Sequence, residues 1–210
     1  MTPLPSRGLY AITSSASYTS EALVLRVEKA LQGGAAMIQY RDKTSSAAQR
    51  LQQVQHLVPL CHRFNAPLII NDDVELARVS GADGVHLGRS DVTIQYARQQ
   101  LGDGAIIGVS CYNELPRAVV AEQAGASYVA FGRFFASSTK PGAVEAGVAL
   151  LIAAKQQLRL PIVAIGGITP HNGAALLTAG ADLLAVIAGV FSVADAEAAA
   201  RHYAPLFLKR

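Results

Sequence analysis

Gly180-Ala-Asp-Leu-Leu-Ala-Val-Ile-Ala-Gly189 carries the pattern that decides the fold. A Gly-Ala dipeptide leads directly into a short apolar run, which closes on a small-residue turn. Glycine adopts the left-handed conformation that ends a helix, so the dipeptide reads as helix stop and strand entry together. The same dipeptide stands at Gly34-Ala35, Gly81-Ala82 and Gly125-Ala126, each time just before an apolar run. Four of the chain's seven Gly-Ala dipeptides stand in this phase, which indicates a βαβα unit used repeatedly.

Runs rich in β-branched residues supply the strands between these. They fall at Leu9–Thr13, Met37–Arg41, Leu68–Asn71, Val85–Leu87, Ile106–Ser110, Tyr128–Gly132, Ile162–Gly166 and Leu183–Ile187. Helical stretches follow each: Glu21–Leu31, Ser46–Phe64, Val74–Val79, Thr93–Leu101, Leu115–Ala124, Ala146–Gln157, Asn172–Ala179 and Ala194–Leu206. In the seventh, Thr169 suits a cap and Pro170 the first helical position. Apolar strands alternating with amphipathic helices predict a parallel sheet. Eight units in one short chain favour a closed (β/α)8 barrel, or TIM barrel, over an open doubly wound sheet. One domain over residues 1–210 is expected, since no linker or low-complexity segment interrupts the pattern.

The balance of residues fits a globular enzyme: 51% are apolar and 16% charged. A net charge of +3 is spread along the chain without a Lys/Arg run, which argues against nucleic acid as a partner. The longest apolar run near the C-terminus, Leu183–Phe191, is too short to span a bilayer. Residues 1–7 lack the apolar stretch of a signal peptide, so cytoplasmic residence is expected. Cys61 and Cys111 form no CxxC pair and read as reduced.

Barrels of this kind build their sites from the loops after the strands. Those ends here carry Gln39-Tyr40-Arg41-Asp42-Lys43, Asn71-Asp72-Asp73, Gly88 to Asp91, Ser110, Ser137-Ser138-Thr139-Lys140, Gly166-Gly167 and Ala188-Gly189. Asp72 and Asp91 follow neighbouring strands, so their carboxylates are candidates for one magnesium ion. Both also suit a helix cap, though Asp73 is the better cap for the helix at Val74. Arg41, Lys43 and Lys140 offer cations for phosphate oxygens. Backbone amides around Gly166-Gly167 and the Ile187-Ala188 turn are candidates to cradle a phosphate. His86, inside strand four, reads as a satisfied core histidine. His56 and His62 read as surface or packing residues, and His171 as solvated. No histidine pairs with serine or cysteine as a hydrolytic triad.

In order and spacing, Gln39-Tyr-Arg-Asp-Lys43, Ile70-Asn-Asp72, Gly84-Val-His-Leu-Gly88 with Asp91, Gly108-Val-Ser110, Ser138-Thr-Lys140 and Ala164-Ile-Gly-Gly-Ile168 resemble the thiamine-phosphate synthase family. The resemblance runs from Leu9 to the end of strand eight. It implies a magnesium-assisted transferase that joins 4-amino-2-methyl-5-hydroxymethylpyrimidine diphosphate to a thiazole monophosphate, or to its carboxylated form, and releases pyrophosphate. By that resemblance Gln39 to Lys43, Asn71, Ser110 and Lys140 hold the diphosphate substrate, with Arg41, Lys43, Ser110 and Lys140 acting on the reaction. Asp72 and Asp91 bind Mg2+. Ser137 to Thr139, Gly167, Ile187 and Ala188 hold the thiazole phosphate. Dissociative loss of pyrophosphate needs charge stabilisation and positioning more than a strong base, and the residues supply that balance. Departures from the family pattern are Ser137 for the usual threonine, Ala188 for a frequent serine, and Arg133 and Ala136 for frequent prolines. The alternatives are a thiazole tautomerase-like barrel, which has no need of the diphosphate apparatus, and a non-catalytic sensor of a phosphorylated metabolite. The expected partners are small phosphorylated molecules, with self-association into a homo-oligomer left open.

Overall fold

Strands of four to seven residues gain stability only by pairing on both edges, and here every edge is paired. The computed structural model describes residues 1–14, 18–136 and 145–208. Eight parallel strands close in chain order: β1 Gly8–Ile12, β2 Ala35–Tyr40, β3 Leu68–Asn71, β4 Gly84–Leu87, β5 Ile106–Tyr112, β6 Tyr128–Phe131, β7 Ile162–Ile165 and β8 Leu183–Val186. Closure comes from β8 beside β1, with Gly8 opposite Leu183 and Ala11 opposite Val186. The connecting helices are α1 Ser20–Gln32, α2 Ala47–Arg63, α3 Val74–Ser80, α4 Ile94–Leu101, α5 Leu115–Gln123, α6 Val148–Gln157 and α7 Gly173–Thr178. The expected (β/α)8 barrel is therefore the fold, with boundaries moved by a residue or two.

Alternation along each strand splits the core into two layers. Tyr10, Met37, Ile69, Ile106, Tyr128 and Leu183 fill the barrel interior. Leu9, Ile38, Tyr40, Val129 and Leu184 face outward against the helices. Gly108 makes room for the interior: a Cβ there would lie 2.0 Å from Cζ of Tyr128. Cys61 and Cys111 are free and buried, and burial pushes both thiols up to about 12.

The repeat has a physical basis at the N-terminal end of the barrel. Gly34, Gly81, Gly125 and Gly180 all have positive φ, from +72° to +116°. In three of the units the next-but-one residue reaches across to the preceding strand. Asp83 Oδ2 accepts from Leu68 N at 2.9 Å, Ser127 Oγ from Ile107 N at 3.0 Å, and Asp182 Oδ2 from Ile162 N at 2.9 Å. The first unit has Ala36 at that place, where a Cβ on Gly8 would come within 2.5 Å of the alanine Cβ. Contact there replaces the hydrogen bond.

Two helix expectations are corrected. The predicted helix at Ala194–Leu206 is two pieces, α9 Ala196–Arg201 and α10 Ala204–Leu208, and a short α8 at Ala188–Phe191 precedes it. Asp195 caps α9 through Glu197 N and Ala198 N. Pro205 cannot donate to Arg201 and its ring would crowd that carbonyl, so α9 stops there. Thr169 and Pro170 do not open a helix; they lie in a turn, and α7 begins after Asn172. Asn172 Oδ1 takes Thr169 N at 2.8 Å and its Nδ2 donates to Gly167 O at 3.0 Å. Its side chain therefore braces the loop after β7. No helix among the described residues is long and apolar enough to cross a membrane.

Candidate active site

The C-terminal ends of the strands surround a cavity of about 910 Å³ that opens to solvent. Gln39, Arg41, Asn71 and Ser110 line it, together with Ile12, Ala130, Val163 and Ala185. Four of the residues predicted to hold a substrate thus converge on one apolar-walled hollow. Period-two alternation places Gln39 inward and turns Tyr40 outward. The Tyr40 hydroxyl donates to Gln53 Oε1 of α2 at 2.6 Å, so this side chain joins sheet to helix and does not line the cavity.

The loop after β2 is tied down from both sides. Thr13 Oγ1 accepts from Arg41 N at 2.8 Å and donates to Arg41 O at 3.2 Å, fixing the backbone that carries the guanidinium. Asp42 Oδ1 accepts from Thr44 N, Thr44 Oγ1 and Ser45 N at 2.8 to 3.1 Å. Burial acts to raise this carboxyl, but the hydrogen bonds from Ser45 and Thr44 outweigh it and hold it at about 2. Asp42 thus orders its own loop. Lys43 Nζ reaches Asp72 Oδ2 at 3.3 Å across the rim.

Asp72 and Asp91 are both relieved of helix capping. Asp73 caps α3 through Leu76 N, as expected, and Thr93 caps α4 through Tyr96 N. Asp72 holds φ of +65°, a conformation aspartate tolerates, and its N–H donates to His86 O at 2.9 Å. Asp91 Oδ2 accepts from Gly88 N at 2.6 Å. Arg117 of α5 joins the loop after β4 to the end of β5, donating to Gly88 O at 3.2 Å and Ser110 O at 2.8 Å. Among the described residues, no three His, Cys, Asp or Glu side chains form a ready metal cage. Asp72 and Asp91 alone could serve only a hard cation that keeps most of its ligands as water or substrate oxygens.

A second hollow of about 340 Å³ adjoins the first. Gly166, Gly167, Ile168 and residues 185–189 line it, and it shares Ile165, Gly166, Ala185 and Ile187 with the larger cavity. Gly167, Ile187 and Ala188 thus meet here as expected. Gly166 and Gly167 have φ of +106° and +61° and pack directly on the loop after β6. A Cβ on Gly166 would lie 2.3 Å from Arg133 Cβ, and one on Gly167 2.4 Å from Ala136 O. Ala188 opens α8, and the leading amides of a helix have no intrahelical acceptor. Ser137, Ser138, Thr139 and Lys140 lie outside the described residues.

Sequence reasoning missed the polar floor of the cavity. His86 is a satisfied histidine, as expected, yet it also lines the cavity, with Nδ1 2.9 Å from Tyr128 Oη and Nε2 2.8 Å from Ser110 Oγ. Tyr10 Oη lies 2.8 Å from Tyr128 Oη and accepts from Gln39 Nε2 at 2.7 Å. Burial raises both tyrosine hydroxyls, so both remain protonated phenols. Their strand positions, inward on β1 and β6, were the available signal; a tyrosine in an apolar run reads as packing. His62, read as a surface or packing residue, meets the buried Asp83 at 2.9 Å, far from the rim. His56 and His171 are exposed.

A closed eight-stranded barrel with polar groups gathered at its strand C-termini around two joined hollows defines a (β/α)8-barrel enzyme. Residues 9–190 match the family described as thiamine monophosphate synthase, and the chain belongs to that family. The thiamine-phosphate synthase of Nitrosococcus oceani is 54% identical over 197 residues, covering 94% of this chain and 91% of the relative. That of Thiobacillus denitrificans is 52% identical over 200 residues, covering 95% and 94%. The solved thiamine phosphate pyrophosphorylase from Pyrococcus furiosus superposes with a TM-score of 0.86 at 32% identity, covering 96% of this chain and 95% of that one.

Proposed function

We propose that this enzyme condenses 4-amino-2-methyl-5-hydroxymethylpyrimidine diphosphate with 4-methyl-5-(2-phosphoethyl)thiazole, giving thiamine phosphate and pyrophosphate. The observation that carries this reading is the joining of two hollows at one rim. The larger has Gln39, Arg41, Asn71 and Ser110, and the smaller has glycine backbone and the start of α8. Two substrates held in adjoining pockets meet at the shared wall, which supplies the proximity a bimolecular capture needs.

In this reading the pyrimidine ring lies in the apolar-walled cavity and its diphosphate extends to the rim. Arg41, Lys43 and Lys140 neutralise the departing pyrophosphate, and Ser110 donates a hydrogen bond near the reacting end. Asp72 and Asp91 would hold Mg2+, whose charge, when bound, lowers the cost of the negative charge gathering on the leaving group. Lys43, 3.3 Å from Asp72, is placed to bridge the cation region and the phosphates. The amides of Gly167 and Ala188, with hydroxyls of Ser137 to Thr139, hold the thiazole phosphate. The apolar walls exclude water that would otherwise compete with the thiazole nitrogen. Small phosphorylated substrates and cytoplasmic residence belong to the same reading.

Purified protein should release pyrophosphate only with both substrates and Mg2+ present. A folded protein that forms no thiamine phosphate under those conditions removes the proposal.

A further inference from the structure

Five polar side chains form an unbroken line under the cavity. Gln39 Nε2 lies 2.7 Å from Tyr10 Oη, Tyr10 Oη 2.8 Å from Tyr128 Oη, Tyr128 Oη 2.9 Å from His86 Nδ1, and His86 Nε2 2.8 Å from Ser110 Oγ. Both ends, Gln39 and Ser110, line the cavity. The middle is locked by packing: the tyrosine rings meet edge to face at 88°, the His86 and Tyr128 rings stack at 5.6 Å, and the missing Gly108 side chain admits the Tyr128 ring.

Such a line has a direction. An amide nitrogen only donates, so Tyr10 oxygen accepts from Gln39 and its own proton needs an acceptor. Tyr128 oxygen is the acceptor at hydrogen-bonding distance. Tyr128 therefore gives its proton to His86 Nδ1, which leaves the ring proton on Nε2, donated to Ser110 Oγ. The serine proton is then turned away from the histidine, toward the cavity. A single reversed link would set two donors or two acceptors face to face in a dry interior, at the cost of an unmade buried hydrogen bond. All four links consequently point the same way or all reverse together.

We propose that this line is a polarity relay: it couples the Gln39 amide to the Ser110 hydroxyl, so the cavity offers an acceptor at Gln39 together with a donor at Ser110. His86, Tyr10 and Tyr128 are positioning residues in it. A flat heteroaromatic ring bearing a ring nitrogen and an exocyclic amine matches that offer, since it presents one acceptor and one donor of its own. The identity of the ring rests on the proposed function; the polarity belongs to the free protein.

The test reads the His86 tautomer by nitrogen NMR on protein carrying 15N-labelled histidine, without substrate. The chain has five histidines, and His86→Gln assigns the signal by its disappearance. The expected wild-type form is the neutral Nε2–H tautomer. Gln39→Glu, whose carboxylate can only accept from Tyr10, should reverse the line and move the proton to Nδ1. A wild-type Nδ1–H form, a doubly protonated ring, or a tautomer unmoved by Gln39→Glu overturns the relay. In steady-state kinetics, Tyr128→Phe should raise KM for the pyrimidine diphosphate by about tenfold, the loss of one oriented hydrogen bond. KM for the thiazole phosphate should stay within about twofold. Equal rises in both would mark general damage and overturn the assignment to the ring. A wild-type protein with the Nε2–H form but no turnover would refute the proposed function while sustaining the relay.

Discussion

Replacing Gly167 by alanine should separate the smaller hollow from the rest of the enzyme. The added Cβ would lie 2.4 Å from Ala136 O, about 1 Å short of ordinary contact, and 2.8 Å from Phe135 Cβ. A left-handed residue with a side chain costs about 1–2 kcal/mol, and forced displacement of packed atoms about 1–3 kcal/mol more. Their sum, about 2–5 kcal/mol, corresponds to a fall in Tm of roughly 4–20 °C for a chain of this length. The same displacement moves the Gly167 amide that the thiazole phosphate would use. Losing one hydrogen bond to a charged group, about 1.5–3 kcal/mol, raises KM for that substrate roughly 10- to 100-fold. KM for the pyrimidine diphosphate should change by less than about threefold, because Gln39, Arg41 and Ser110 are held by other loops. Gly34→Ala is the control. Its φ of +95° carries the backbone cost, but nothing lies within 4 Å of the added Cβ and it sits at the opposite end of the barrel. It should lower Tm without moving either KM. A Gly167→Ala enzyme with an unchanged KM for the thiazole phosphate, or a Gly34→Ala enzyme with the same kinetic defect, would refute the assignment.

Asp83→Ala should lower the free energy of unfolding by about 2–4 kcal/mol, since it leaves the buried Leu68 N–H without its acceptor. Urea titration reads the loss, and kcat should persist because the residue lies opposite the site. Asp42→Asn should destabilise the loop after β2 at neutral pH. The Asp42 carboxyl is held near 2 against an ordinary 3.8, so its contribution is present above 3.8 and lost as the pH falls toward 2. The Tm difference between wild type and Asp42→Asn should therefore narrow over that interval. Asp91→Asn keeps an acceptor for Gly88 N but removes the negative charge. It should raise the Mg2+ concentration for half-maximal rate by roughly tenfold or more, with Tm nearly unchanged. An unchanged Mg2+ requirement would remove Asp91 from the cation site.

The barrel was legible because its signals are local. Gly81 and Gly180 end helices with positive φ, and the residues two positions on, Asp83 and Asp182, anchor the next strand pair. A dipeptide at the right phase therefore encodes both helix stop and strand alignment. The C-terminal helix was less legible because one residue decided it. Pro205 stops α9 through a carbonyl four positions earlier, and an apolar pattern running past it gives no warning. Thr169-Pro170 misled in the opposite way: the local cap signal was real, but Asn172 spent its side chain on the Gly167 loop.

The site divides along the same line. Cavity residues at strand ends, such as Arg41 and Asn71, announce themselves by being polar where strands stop. Those acting from inside a strand do not, because period two gives a residue its face but not its partners. Tyr40 and Gln39 are neighbours with equal polarity on paper, yet one crosses to α2 and the other faces the cavity. Tyr10 and Tyr128 lie over a hundred residues apart and meet only when β1 and β6 cross the same interior. A barrel interior that has to be filled by side chains can be filled by polar ones only if each hydrogen bond is made. Meeting that demand in the layer beneath a binding cavity forces the polar groups into a directed line, and the line then fixes what the cavity floor presents. In this molecule, packing the core and setting the polarity of the site are one physical requirement.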